Sequence, residues 1–109
     1  MHLTLFTDTN TDKSAKIVLN RTIKAMDANI LSHTIEAYNK GGHKVCLEIQ
    51  TESSSYNKSI KQCIELAQRI GRSYILNGSI DQELDLWSND SSVSGLTSIH
   101  FQLFSRDFV

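Results

Sequence analysis

Apolar and polar positions alternate with a period of two in five stretches of this chain and recur at three- and four-residue spacing in two others. Residues His2 to Thr7 alternate first, with Leu3 and Leu5 on one side and Thr4 and Phe6 on the other. A cluster of capping residues follows at Asp8-Thr9-Asn10-Thr11-Asp12, where a helix is predicted to start. From Asp12 to about Ala28, the positions Ala15, Val18, Leu19, Thr22, Ile23 and Met26 form one stripe, with Lys13, Lys16, Arg21 and Lys24 on the opposite face. The period then returns to two. Leu31, His33, Ile35 and Ala37 share one side, the turn Asn39-Lys40-Gly41-Gly42 follows, and Val45, Leu47 and Ile49 resume the alternation, so residues 30 to 51 read as a β-hairpin. A helical period also fits Ile30, Leu31, Ile35 and Tyr38, which leaves open an extension of the first helix by two turns.

Ser53-Ser54-Ser55 caps a second helix whose stripe is Tyr56, Ile60, Cys63, Ile64, Ala67 and Ile70, with Gly71 at its C-terminal end. Residues 74 to 87 are expected to form one long strand, bent at Gly78, in which Ile80, Leu84 and Leu86 alternate with Asp81, Glu83 and Asp85. A loop at Asn89 to Gly95 leads to a last strand carrying Ile99, Phe101 and Leu103, with Ser105 to Val109 as a tail that Phe108 anchors. The order of elements is that of a single α+β domain over residues 1 to 109, a ferredoxin-like βαββαβ unit with an added C-terminal strand and two helices on one face of an antiparallel sheet.

If the apolar set packs on the helices, the pleat dictates what the other face shows. Glu36, Tyr38, Lys44, Cys46, Glu48, Gln50, Asn77, Ser79, Asp81, Glu83, Asp85, Trp87, His100, Gln102 and Phe104 are then exposed together. The carboxylates Glu36, Glu48, Asp81, Glu83 and Asp85 face a single lysine, and three large aromatics stand among them. Both helices carry a basic excess, so a formal net charge of −1 conceals a polarised surface. Such a face steers a basic partner toward the sheet, and Trp87, Tyr38 and Phe104 supply anchors for it. Alternating acids are also what an exposed strand uses against unwanted edge pairing.

Composition adds bounds rather than an activity. A 39% hydrophobic and 21% charged content is ordinary for a folded domain. No run approaches a bilayer span, and no leader pattern opens the chain, so a cytoplasmic location is expected, with Cys46 and Cys63 as free thiols. The four histidines, His2, His33, His43 and His100, lack metal-ligand spacing, and no cofactor motif appears. His100 is the one with a chemical prospect, because hairpin pairing would bring it near Asp81, Glu83 and Asp85.

RNA-recognition modules stack bases on a sheet face set in basic surroundings, whereas carboxylates here repel phosphate. Asp8, in Phe6-Thr7-Asp8, is similar in position to the first-strand aspartate of small ferredoxin-like metal-dependent nucleases, and the loop Asp8 to Asp12 is the ligand-holding place in ACT-type regulatory domains, which usually have a glycine there. The expectation is a non-catalytic bacterial protein-binding module of the immunity or antitoxin type, with a small-ligand regulatory domain of the ACT type and a metal-dependent nuclease using Asp8 as the alternatives. Its partner would be a basic protein such as a toxin nuclease, met through Glu36, Tyr38, Glu48, Asp81, Glu83, Asp85, Trp87, His100 and Phe104. Self-association through the sheet is also open, although the clustered carboxylates oppose packing that face on a copy of itself.

Overall fold

The computed structural model describes residues 1 to 108. Strand β1 (His2–Thr7) leads to helix α1 (Asp12–Met26), strands β2 (Ile30–Ala37) and β3 (His43–Ile49), and helix α2 (Tyr56–Ile70). Strands β4 (Gly71–Arg72), β5 (Ile75–Asn77), β6 (Glu83–Ser88), β7 (Asp90–Ser91) and β8 (Leu96–Phe104) follow, and the described chain closes with a 3₁₀ turn at Ser105–Phe108. The main sheet has the order β2-β3-β1-β8-β6-β5 and is antiparallel throughout; β4 and β7 pair separately. Val109, the end of the predicted tail, lies outside the described residues. Among the described residues no helix is long and apolar enough to cross a membrane.

Both helices begin where the capping clusters predict. Thr11 accepts the Ser14 amide at 3.1 Å, and Ser55 caps α2 through Lys58. Residues 30 to 37 are strand, not helix, because Asp27 in the left-handed conformation (φ 52°) ends α1. Gly71 ends α2 in an extended conformation, so its lack of a side chain answers to space: a Cβ there would stand 2.7 Å from Ile99 Cδ1. Leu3, Leu5, Val45, Ile99 and Phe101 from the sheet pack with Leu19, Met26, Cys63 and Ile70 from the helices in one core. The opposite pleat of β1, β3, β8 and β6 is uncovered.

Two expectations are corrected. The long strand at 74 to 87 is interrupted: Gly78 takes φ +78°, and the amides of Gln82 and Glu83 both donate to the Ser79 carbonyl, at 2.9 and 2.8 Å, forming a tight turn. Its two halves fold back on each other as β5 and β6, pairing Ile75 with Trp87 and Asn77 with Asp85. Ile80 and Asp81 therefore sit in the turn, and Ile80 is exposed instead of packed on the helices. The C-terminal strand also lies inside the sheet and not at its edge. β8 lies beside β1 in the interior of the sheet, where Ile99 and Phe101 are fully buried, while β6 and β5 extend the sheet outward and leave Leu76 half exposed.

Candidate functional site: the open face of the sheet

Cross-strand registers arrange the open face in rows. One row runs Thr34, Cys46, Thr4, His100, Trp87, Ile75; the next runs Ser32, Glu48, His2, Gln102, Asp85, Asn77. β1 occupies the middle of the sheet, so His2, Thr4 and Phe6 join the face at its centre. Their inclusion changes the character of the surface. The alternation of residues 2 to 7 carried the signal for it, but the neighbours of β1 are not readable from its own sequence.

Each predicted carboxylate has a definite setting. Asp85 accepts a hydrogen bond from His100 Nε2 at 3.0 Å, both side chains being mostly buried. Glu48 pairs with His2 Nδ1 and stands 3.8 Å from the N-terminal ammonium. Glu36 faces Lys44 across the hairpin at 4.0 Å. Asp81, in the turn, accepts from the Ser79 hydroxyl and lies beyond the sheet face on which it was expected. Glu83, at the start of β6, stands opposite Phe104 without a basic partner among the described residues. The acids of the face are thus unequal in setting: Asp85, Glu48 and Glu36 have imidazole or ammonium partners, whereas Asp81 and Glu83 have no basic partner among the described residues.

Aromatic side chains cluster instead. Phe6 touches Tyr38 at 5.1 Å between centroids and Trp87 at 5.8 Å, and Trp87 meets His100 edge-on at 5.2 Å. Phe6, Tyr38 and Trp87 frame a shallow cup of about 240 Å³, with Lys40, Thr97 and Ser98 at its rim. Trp87 is half-buried, and its neighbour Ile75 is 60% exposed. At the far end of the face His2 approaches Phe104, over whose ring the Arg106 guanidinium lies at 4.6 Å. A larger open depression, about 660 Å³, runs along that end between His2, Glu48, Gln102 and Phe108. Tyr56 lies near the charged turn: burial first, then the carboxylates of Asp81 and Glu83, raises its phenol above the ordinary value, and its hydroxyl donates to the Ile80 carbonyl at 2.7 Å.

The first loop is held from within. His43, buried at the start of β3, has Nδ1 2.8 Å from the Thr9 hydroxyl and Nε2 3.0 Å from Asp12, and Thr9 in turn meets Thr7 at 2.8 Å. Asp8 itself points to solvent, and its amide donates to the Gly95 carbonyl. Sequence alone gave His43 no role beyond its missing metal spacing; its place two residues before Val45, in phase with the buried row, is the signal for its burial. Among the described residues no group of three or more His, Cys, Asp or Glu side chains is placed to hold a metal ion.

No family model matches this chain, and no curated protein or solved structure matches it either.

Proposed function

We propose that this protein is a non-catalytic binding module of the immunity or antitoxin type, which captures a basic partner protein such as a nuclease toxin in a bacterial cytoplasm. In this reading β1, α1, β2, β3, α2 and β8 form a ferredoxin-like unit, with the β5–β6 hairpin added on the side of β8. The order β2-β3-β1-β8 supports that assignment.

The observation that carries the binding proposal is Trp87 with Ile75, an apolar pair on the open face, with Glu83 at the other end of the same strand and the exposed Asp81 in the turn that precedes it. A central aromatic anchor with charges around it is the anatomy of a protein-binding hot spot. The uncompensated carboxylates draw a cationic surface toward it, and burial of the indole then holds it. Asp85 and Glu48 serve chiefly to orient His100 and His2, so they belong to the frame of the site.

Co-expression with a panel of basic nuclease toxins tests the reading through cell survival and recovery of a complex. Trp87→Ala and the double reversal Asp81→Lys/Glu83→Lys are each expected to lose protection while the circular dichroism spectrum is retained. Full protection by both variants would remove the sheet face from the mechanism.

A further inference from the structure

The outer edge of β2 has no neighbour within the described chain. Two backbone bonds determine which of its groups face outward. The Tyr38 amide donates to the Gly42 carbonyl at 3.0 Å, so Tyr38, Glu36 and Thr34, two residues apart, bond inward to β3. On β3 itself Ile49 bonds to Met1 beside β1, which leaves Lys44, Cys46 and Glu48 to face β2, in the same phase. His33, Ile35 and Ala37 consequently point their N–H and C=O groups away from the sheet. This edge carries little of the usual protection, with Glu36 as its one charged side chain. Ile30–Ala37 contains no lysine and no proline, and its one irregularity lies at the Ile30–Ser32 end. The opposite edge, β5, is only three residues long and is closed by the Gly78 turn.

We propose that a second copy of this chain covers this edge, β2 pairing antiparallel with its counterpart about a twofold axis through Ile35 and continuing the sheet across both subunits. In that register Ile35 faces Ile35 of the second copy, and His33 faces Ala37, so every outward N–H and C=O of these residues gains a partner. The parity also keeps the helices of both copies on one side of the joined sheet. Charge selects the register: Glu36 falls opposite a Thr34 hydroxyl, whereas a register centred on Glu36 sets two carboxylates face to face. One centred on Thr34 leaves Ala37 against the irregular segment at Leu31. The open face stays free, so this assembly stands independently of the partner-binding proposal.

Sedimentation velocity combined with amide hydrogen exchange on the full-length protein tests the inference. A species of twice the 12.3 kDa chain mass is expected, with the amides of His33, Ile35 and Ala37 gaining protection as concentration rises. Ala37→Pro removes an N–H that bonds nothing within its own chain. It is expected to weaken the dimer on the order of tenfold to a hundredfold, by the loss of one interchain bond at each symmetric position. A protein that stays monomeric at every concentration, or a dimer whose three edge amides exchange as in the monomer, overturns the proposal.

Discussion

His100 reaches diagonally across the β6–β8 ladder to Asp85, Nε2 to Oδ1 at 3.0 Å, while Trp87 occupies the position directly opposite the imidazole. One histidine thus joins the charged and aromatic parts of the open face. A double-mutant cycle on His100→Ala and Asp85→Ala is expected to show a coupling of about 1 kcal/mol in denaturant unfolding, typical of a partly desolvated, hydrogen-bonded pair. Additive effects of the two substitutions would show that the pair contributes nothing to stability.

The two hairpin glycines differ in what they permit. Gly42 has φ +72°, and a Cβ there would lie 1.9 Å from the Thr7 carbonyl oxygen; Gly41 has φ +101° and open space around it. Gly41→Ala is expected to cost about 1 kcal/mol from the backbone alone. Gly42→Ala must also displace β1, and is expected to cost about 3 kcal/mol or more. Thermal or urea unfolding of the two variants separates these effects, and equal losses would contradict the close approach of Gly42 to β1.

Alkaline pH acts on the core. Burial pushes the Cys63 thiol from its ordinary 9.0 up to about 12, and burial likewise raises the Tyr74 phenol, whose hydroxyl donates to the Ala67 carbonyl at 2.8 Å. A group whose pKa is higher in the folded state contributes stability that is complete below its unfolded value and is lost as pH rises toward its folded value. Stability is therefore expected to fall between pH 9 and about 12, with Cys63 contributing up to about 1.4 kcal/mol per pH unit. Urea midpoints across that window test this, and Cys63→Ala is expected to reduce the slope.

The two thiols are also distinguishable by reagent. Cys46 lies half-exposed on the open face between Thr34 and Thr4, and Cys63 is fully buried on α2. A chromogenic disulfide reagent at neutral pH is expected to titrate one thiol rapidly in the native protein and the second only with unfolding. Rapid reaction of both would place Cys63 near a frequent local opening.

The helices and the β2–β3 hairpin were legible in the sequence because local chemistry specifies them: Thr11 and Ser55 cap, Gly41 and Gly42 turn, and the stripe over Ala15 to Met26 faces the core. The break at Gly78 was not, since Ile80 and Asp81 continue the alternation through a turn that a period of two does not distinguish from a strand. The settings of the acids on the candidate face were not legible for a different reason. The acids were readable residue by residue, but their pairing with His2, Lys44 and His100 depends on which strands become neighbours, a long-range property. The burial of His43 against Thr9 and Asp12 is likewise a tertiary fact.

The central place of β1 has a consequence for how the chain acquires its structure. During synthesis, the first strand emerges long before its partner β8, and contacts such as the Thr97 hydroxyl donating to the Phe6 carbonyl join residues 91 positions apart. Until residues 96 to 104 leave the ribosome, Leu3 and Leu5 lack the strand that completes their burial, and one edge of β1 has no native partner. Closing so long a loop carries a large entropic cost before any native contact repays it, which makes the docking of β8 the natural late and slow event of folding. A nascent chain stalled before Leu96 would therefore present β1 as sticky, unfinished sheet, a state for chaperones to shelter.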